Sequence, residues 1–287
     1  MKLLRYGALG QEKPGILDAN GTIRDLSQVI PDLSGEYLSP QSLAKIAALN
    51  LEELPVVEGT PRYGSCVPKP GKFLCIGLNY SDHAAEAGMA VPKEPVLFMK
   101  ASSALCGPND DVIQPRGSEK TDWEVELGVV IGTEAKYVSE EDALSYVAGY
   151  CLINDVSERA FQIEGTGQWV KGKSADTFGP TGPWLVTADE VPDPQNLNMW
   201  LEVDGHRYQQ GTTKTMVFGV AHLISFLSRF MSLQPGDIIT TGTPPGVGMG
   251  QKPQVFLKPG NKIHLGIEGL GEQRQTVVAE PGDPRYK

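Results

Sequence analysis

The stretch DWEVELGVVIG, residues 122–132, constrains the fold more than any other part of the chain. Its β-branched residues and closing glycine predict a buried strand followed by a turn. Because successive strand side chains alternate between faces, Glu124 and Glu126 should share one face, roughly 7 Å apart. Such a pair beside an apolar run must either take up a proton or hold a cation. Most Glu-x-Glu pairs simply face solvent, but the apolar run favours a divalent-metal site here. Carboxylate ligands suit Mg²⁺, Mn²⁺ or Ca²⁺ better than zinc.

The composition narrows the class of partner. The 287 residues are 40% hydrophobic and 21% charged, as in a globular protein with one large domain or one large and one small. With 25 basic and 35 acidic residues, the net charge of -10 argues against nucleic acid and anionic membranes as main partners. The sequence contains no apolar run of the ~18–20 residues that a membrane helix needs, and its start lacks the pattern of a signal peptide.

The cysteines and glycines add two expectations about the fold and the compartment. The four cysteines are widely spaced and form no Cys-x-x-Cys pair, so we expect reduced thiols in a cytoplasmic protein. The 33 glycines and 22 prolines follow no period, which favours a β-rich fold with many turns over a repeat protein.

Residues 1–70 are expected to form a small N-terminal α/β unit, followed by a catalytic domain at 71–287. Asn20-Gly21 lies between two short apolar runs, which predicts a β-hairpin. A short helix is expected from about Ser42 to Ala48, capped by Ser39 or Ser42. The Pro- and Gly-rich segment at 66–72 marks the predicted boundary between the two units.

The main body offers a candidate general base soon after its first predicted strand. The segment SDHAAEAG, residues 81–88, predicts a short helix with His83 and Glu86 on one face. A carboxylate beside an imidazole raises its basicity and fixes its tautomer, as a general base requires. An ordinary surface pair on a helix has the same spacing, and the spacing alone favours that reading.

Asp155 is the natural third ligand for a metal held by Glu124 and Glu126. It ends a second apolar run, YVAGYCLIND at 146–155, which predicts another buried strand. Asp155 could equally cap a helix predicted from Ser157 to Gln162. As a metal ligand, it would complete a set of three carboxylates that leaves an octahedral cation about three positions for water and substrate.

The segment GQWVKGKS, residues 167–174, matches the phosphate-loop pattern G-x-x-x-x-G-K-[ST] letter for letter. A phosphate loop must follow a buried strand and open a helix, so that backbone amides meet the phosphates. Here a polar segment precedes the match, and DTFGPTGP at 176–183 cannot form a helix. We therefore interpret Lys173 as a cation placed near the acidic residues.

Taken together, these residues resemble the fumarylacetoacetate hydrolase family from about Lys72 to the C-terminus. Each matching segment is common alone, but their order is highly specific. The segments are IGLNY (76–80) with His83 and Glu86, EVEL (124–127), NDVS (154–157), GKS (172–174) with Asp176, and PGD (235–237) with GTP (242–244).

The resemblance implies a mixed β-sheet roll of the α+β class, β-rich, that holds Mg²⁺ or Mn²⁺ and usually forms a homodimer. The implied metal ligands are Glu124, Glu126 and Asp155. One departure concerns Arg159, because many members carry Asp after the matching arginine and this chain has Ala160. That departure weakens any role assigned to Arg159.

The resemblance also implies the catalytic and substrate-contacting residues. His83 and Glu86 match a catalytic dyad on a mobile lid. The residues that match substrate contacts are Lys173, Gln162 and Thr243, and Lys173 also counts as catalytic.

Several sequence segments resemble one branch of the family. That branch contains 2,4-diketo-3-deoxy-L-rhamnonate (equally L-fuconate) hydrolases and proteins often labelled ureidoglycolate lyase. We therefore expect metal-dependent hydrolysis of the C3–C4 bond of a 2,4-diketo acid to pyruvate and L-lactate. The alternatives are a ureidoglycolate lyase, a general acylpyruvate hydrolase or oxaloacetate decarboxylase, and a non-catalytic metal-binding protein. The phosphate-loop match adds a nucleotide hydrolase, which the structural context disfavours.

Overall fold

The computed structural model describes residues 1–82 and 92–286. It shows a β-rich α+β fold, which confirms the predicted fold class. The first nine strands of the described chain are β1 (Lys2–Tyr6), β2 (Lys13–Leu17), β3 (Ile23–Asp25), β4 (Phe73–Gly77), β5 (Val96–Lys100), β6 (Leu105–Cys106), β7 (Val112–Gln114), β8 (Thr121–Asp122) and β9 (Val125–Ile131). The next nine are β10 (Val147–Asn154), β11 (Ser157–Glu158), β12 (Gly179–Pro180), β13 (Leu185–Thr187), β14 (Asn198–Val203), β15 (His206–Thr212), β16 (Ile238–Thr240), β17 (Lys262–Ile267) and β18 (Gly271–Ala279). The α-helices whose two ends lie within the described residues are α1 (Pro40–Ala47), α2 (Arg159–Ile163), α3 (Val170–Lys173) and α4 (Val220–Ser228).

A nine-stranded mixed sheet forms the centre of the protein, in the order β3-β2-β1-β13-β10-β9-β16-β4-β5. Among the described strands of this sheet, only β16 and β4 pair in parallel. The two central strands, β9 and β10, pair antiparallel over their length, with Leu127 opposite Leu152 and Glu126 opposite Ile153. Both predicted apolar runs are therefore buried neighbouring strands, as expected.

A second, five-stranded sheet packs against the first, in the order β15-β14-β17-β18-β7. One apolar cluster joins the two sheets and includes Leu127 and Val129 of β9 together with Leu201 and Leu265 of the second sheet. The opposite face of β9 is also covered, because Val130 packs in a separate cluster with side chains of the N-terminal region. Burial on both faces explains why this strand is a continuous apolar run and does not alternate with polar residues.

The N-terminal residues extend the same central sheet. Strand β1 pairs with β13, and the predicted hairpin of β2 and β3 around Asn20-Gly21 is confirmed. The predicted short helix corresponds to α1, with Ser39 as its cap, because the Ser39 hydroxyl accepts a hydrogen bond from the Ser42 amide. The boundary near residue 70 stays a prediction about chain organisation.

The strand predicted at residues 122–132 differs from the prediction at its start. Strand β8 ends at Asp122 and β9 begins only at Val125, so Glu124 lies in the break between them. The break arises because side chains replace strand partners. The amide of Glu124 donates to Asn154 Oδ1 at 3.2 Å, and the amide of Val125 donates to Gln209 Oε1 at 2.9 Å.

Two further sequence expectations concern helices and cysteines. In the described part of the chain, no helix is long and apolar enough to cross a bilayer. The four cysteines are buried and unpaired with one another, as expected for reduced thiols.

Candidate active site

Three carboxylates meet where the central strands end. Glu126 lies in β9, Glu124 lies in the break before it, and Asp155 directly follows β10. A hydrogen bond of 2.9 Å from the Asp155 amide to the Glu124 carbonyl fixes the two segments to each other. Side-chain oxygens of all three residues lie within 4.8 Å of one another, and all three residues are buried. The predicted triad is therefore brought together, closer than the strand spacing suggested.

Three buried cations surround this triad. Lys173 Nζ donates to Glu124 Oε2 at 2.8 Å and to Asp155 Oδ2 at 2.6 Å. Arg159 donates to the other oxygen of Glu124 at 2.7 Å. Lys100, at the end of β5, contacts Asp155 Oδ1 and donates to the Val156 carbonyl at 3.0 Å. Each carboxylate oxygen of Glu124 and Asp155 thus has a cationic partner.

The local fold around Lys173 explains the phosphate-loop resemblance. Helix α3 is a single turn that ends at Lys173 and packs against α2. A Cβ at Gly172 would lie 2.5 Å from both the Gln162 amide nitrogen and the Glu158 carbonyl oxygen. The glycine is needed for this close helix contact, which points Lys173 at the carboxylates. No strand precedes the motif directly, so its rejection as a phosphate loop agrees with the structure.

Helix α2 begins later than predicted and is capped by a different residue. It starts at Arg159, and its cap is Glu158, whose carboxylate accepts a hydrogen bond from the Ala160 amide at 3.1 Å. The alternative role of Asp155 as a helix cap is therefore wrong. Its carboxylate instead binds Lys100 and Lys173.

The ionisation of the triad is divided unequally among its members. Burial raises the pKa of Glu124, but the charges of Lys173 and Arg159 outweigh it and hold that pKa well below its ordinary value. Burial raises the pKa of Glu126 well above its ordinary value, and the negative charges of Asp155 and Glu124 raise it further. Burial lowers the pKa of Lys173, yet Asp155 and Glu124 more than compensate and raise it.

The donor set fits a hard divalent cation. The carboxylate of Glu126 accepts a hydrogen bond from the Gly242 amide at 2.9 Å and is paired with no lysine or arginine of the described chain. A buried carboxylate that repels its two neighbours and lacks a cationic partner is favoured to bind either a proton or a metal ion. Three oxygen ligands are typical of a Mg²⁺ or Mn²⁺ site that leaves positions open to substrate.

A cavity of about 200 Å³ opens onto this cluster. Its polar lining beyond the ionised groups includes the predicted contacts Gln162 and Thr243, which are both buried. Gln162 Oε1 accepts a hydrogen bond from Arg159 at 3.0 Å, which leaves the amide group of Gln162 free to donate to a ligand. The Thr243 hydroxyl accepts from Gln209 at 2.7 Å and donates to the Val125 carbonyl at 2.9 Å.

Three contributors to the site were missed or undervalued from the sequence. Arg159 is buried and bridges Glu124 to Asp122, whose carboxylate accepts from Arg159 Nε at 2.8 Å. Asp122 also accepts hydrogen bonds from the amides of Gly248 and Met249, so it connects the segment that contains these two residues to Arg159. Lys100 had one weak signal, because a lysine that ends the apolar run VLFMK needs a buried partner. The predicted dyad, His83 and Glu86, lies outside the described residues.

Comparison with known proteins identifies similar chains of nearly the same length. The family model described as "Fumarylacetoacetate (FAA) hydrolase C-terminal" matches residues 72–278. A protein from Burkholderia ambifaria is 68% identical over 278 residues, covering 96% of this chain and 99% of that protein. Its provisional name describes it as a hydrolase and gives no substrate.

Two solved structures have similar folds. Fumarylacetoacetate hydrolase from the psychrophile Exiguobacterium antarcticum is 35% identical with a TM-score of 0.85, covering 98% of this chain and 100% of the other. Maleylpyruvate hydrolase from Sphingobium sp. SYK-6, solved with manganese(II) and pyruvate, is 29% identical with a TM-score of 0.80, covering 97% of this chain and 99% of the other.

Proposed function

Because the chain belongs to the fumarylacetoacetate hydrolase family, we propose that it is a metal-dependent hydrolase of the C3–C4 bond of a 2,4-diketo acid. One observation carries this proposal. Three buried carboxylates that fit a divalent cation lie within a shell of three buried cations, beside a cavity large enough for a small organic acid. The maleylpyruvate hydrolase of similar fold, solved with manganese(II) and pyruvate, supports Mg²⁺ or Mn²⁺ as the cation and pyruvate as a product.

The charge balance of the cluster favours a substrate with one carboxylate. The cluster contains four buried carboxylates, those of the triad and Asp122, and three buried cations, Lys100, Arg159 and Lys173. Glu124, Asp155 and Asp122 form ion pairs with these cations, and Glu126 lies beside Glu124 and Asp155. The ionised cluster therefore carries one net negative charge, which a divalent cation would convert to one net positive charge. A monoanionic acid neutralises that remainder, so the cavity suits one carboxylate near the triad.

The residues divide the reaction between binding and proton transfer. Glu124, Glu126 and Asp155 would hold the cation, which when bound polarises the carbonyl oxygens of the substrate. Lys173 is placed to offset the negative charge that develops on the 2-oxo oxygen as the bond breaks. We assign the general base to His83, oriented by Glu86, which takes a proton from the water that attacks C4.

Bond and proton accounting is simple for this cleavage. The water oxygen forms a bond to C4, and the C3–C4 electron pair leaves with C3 as the enolate of pyruvate. The proton held by the base then returns to C3. The products are pyruvate and the carboxylic acid derived from the acyl group, with no oxidant or reductant consumed.

Within this class we propose 2,4-diketo-3-deoxy-L-rhamnonate, the same compound as the L-fuconate derivative, as the substrate, with L-lactate as the second product. The resemblance of several sequence segments to that branch supports the choice. The cavity of about 200 Å³ suits a six-carbon acid, and Gln162 offers a neutral amide to its hydroxyl group.

A ureidoglycolate lyase is the second candidate, because the same branch contains proteins with that label. Its substrate is a hydroxy acid, which needs a metal to hold it and a base to take its hydroxyl proton, and the same residues could supply both. General acylpyruvate hydrolysis and oxaloacetate decarboxylation are further alternatives. Both also break a C3–C4 bond and release pyruvate, so the same cluster could serve them.

A substrate panel separates these candidates. The purified Mg²⁺-loaded protein is incubated with the diketo sugar acid, acetylpyruvate, oxaloacetate and ureidoglycolate, and pyruvate, urea and glyoxylate are assayed in parallel. We expect the highest kcat/KM for pyruvate release from the diketo sugar acid. A higher kcat/KM for urea release would overturn the assignment. Saturable phosphate release in a parallel incubation with ATP would instead support a nucleotide hydrolase.

A further inference from the structure

Part of the cavity is lined by apolar side chains, which we call the apolar wall. Its members are the apolar side chains that line the cavity apart from the ion-paired cluster: Ile76, Leu78, Phe98, Ile163, Trp169 and Met249. In the proposed reaction the diketo acid end of the substrate occupies the cluster. The rest of the acyl group then lies against this wall.

The wall is a built feature of the fold. Phe98 and Trp169 meet edge to face, with ring centroids 5.2 Å apart. Trp169 lies so close to β4 that a Cβ at Gly77 would approach its ring to 2.4 Å, so only glycine fits opposite it. Leu78 holds a positive φ of 55°, a conformation that is strained for leucine and that glycine would adopt freely. The chain thus keeps an apolar side chain at a strained position in the cavity lining.

No basic side chain of the described residues is available on this wall. The cavity-lining cations, Arg159 and Lys173, both bind carboxylates of the cluster. Lys173 Nζ also lies 5.0 Å from the centre of the Phe98 ring, but its hydrogen bonds go to Glu124 and Asp155. The segment 83–91, HAAEAGMAV, contains neither lysine nor arginine, and its one basic residue, His83, is already assigned to proton transfer. The neutral polar lining residues, Gln162 and Thr243, can form hydrogen bonds but cannot balance a second negative charge.

From this arrangement we infer that the enzyme selects 2,4-diketo acids whose acyl group ends without a charge and rejects those that carry a second carboxylate. The inference rests on the proposed function and narrows its substrate class. Moving a carboxylate from water onto an apolar surface without a partner is strongly unfavourable. Alkyl and hydroxyalkyl acyl groups, including the lactoyl group, meet the requirement, whereas succinyl, fumaryl and maleyl groups do not.

The test compares two substrates that differ only at the far end. Butanoylpyruvate ends in a methyl group, and succinylpyruvate has a carboxylate at the same place. With the Mn²⁺-loaded enzyme, pyruvate release is followed by coupled NADH oxidation. We expect kcat/KM for butanoylpyruvate to be higher by about 100-fold or more, given the cost of an unpaired charge on an apolar surface. Values within tenfold of each other would overturn the inference.

A charge placed on the wall gives the matching gain of function. Ile163 ends α2 and is half exposed, so Ile163→Lys can place an ammonium group at the wall while reaching solvent. We expect this change to reduce the preference for butanoylpyruvate by at least about tenfold, because a cation now pairs with the far carboxylate. The matched control is Phe161→Lys, which adds the same charge to the same helix at an exposed residue outside the cavity lining. Equal shifts in both variants would contradict the role of the wall.

The same substrates separate failure of this inference from failure of the proposed function. Absence of pyruvate release from every diketo acid contradicts the proposed function. The two acids are then compared by calorimetric binding to the Mn²⁺-loaded protein, where butanoylpyruvate must still bind more tightly. Equal affinities in that measurement would overturn the selectivity on its own.

Discussion

At the scale of single residues, the site depends on how one buried lysine divides its contacts. Lys173 bridges Glu124 and Asp155, while Lys100 holds the other oxygen of Asp155 from outside the cavity lining. Lys100 therefore keeps Asp155 paired, and Lys173 is the lysine that can reach a substrate.

Lys173→Met should separate metal binding from turnover. Removing the ammonium group leaves the developing charge of the substrate unbalanced, so we expect the turnover number to fall about 10²–10³-fold. Mn²⁺ affinity should stay the same or rise, since one cation no longer competes for Glu124 and Asp155. Calorimetric titration and pyruvate assays measure the two effects. The matched control is Lys72→Met, which breaks a 2.7 Å pair with the buried Asp237 away from the site. Wild-type turnover in Lys173→Met would contradict its role.

Metal affinity should rise with pH because of Glu126. Burial and the charges of Asp155 and Glu124 raise the pKa of Glu126, so at any pH below that raised pKa the metal must displace a proton from Glu126. Affinity should then increase by up to about tenfold per pH unit until the pH passes that raised pKa. For a carboxyl group whose pKa is raised on folding, the stability contributed by its proton is present at low pH and lost as the pH rises. Mn²⁺ titrations that begin near the ordinary pKa of a carboxyl group and show a flat affinity as the pH is raised would refute this linkage.

At the scale of elements, the sequence predicted the strands better than their breaks. The apolar runs at β9 and β10 were recognisable because both faces of those strands are buried, and local patterns record burial. The break at Glu124 was not, because it depends on side chains of Asn154 and Gln209 that lie far away in sequence. Lys100 escaped for the same reason, since its partner Asp155 is 55 positions along the chain. The grouping of the three carboxylates was predictable from acidic residues within or at the ends of apolar runs.

Gly172→Ala tests whether close helix packing positions the lysine. The new Cβ would meet backbone atoms of α2 at 2.5 Å, so α3 must move and carry Lys173 with it. A displacement of about 1 Å can cost about 100-fold in rate, and we expect a turnover loss of that order with measurable Mn²⁺ binding. Gly165→Ala is the control, because its Cβ would meet only the flexible Lys171 Nζ at 3.6 Å. Equal turnover in the two variants would show that the helix contact does not position Lys173.

At the scale of the whole molecule, the N-terminal region and the site share one sheet. Strand β1 covers the edge of β13, and side chains from residues 1–70 pack on the face of β9 that points away from the second sheet. We propose that residues 1–70 and the catalytic part depend on each other for stability. We also propose that the protein is a homodimer, as the family resemblance implies, and that it is cytoplasmic, as its unpaired cysteines suggest.

Removal of residues 1–70 should therefore prevent folding of the remainder. The truncation exposes the edge of β13 and a buried apolar face, both of which favour aggregation. We expect loss of a cooperative thermal transition and of a defined species in size-exclusion chromatography, while the full chain gives both. A folded fragment 71–287 that binds Mn²⁺ would show that the catalytic part is independent.

The central claim, that the triad binds the metal on which C–C cleavage depends, is tested most directly by Glu126→Gln. Burial and the charges of Asp155 and Glu124 favour the neutral form of Glu126, which Gln resembles in shape, so the fold should persist. One experiment follows Mn²⁺ binding by calorimetry and pyruvate release from the diketo acid in the same samples. Glu12→Gln, which alters a half-buried carboxylate paired with Arg62 elsewhere, serves as the control. We predict that Glu126→Gln loses metal affinity by more than the ~10–100-fold typical of an outer-shell change and loses turnover with it, while Glu12→Gln retains both. Wild-type Mn²⁺ affinity or pyruvate release in a folded Glu126→Gln protein would contradict the account.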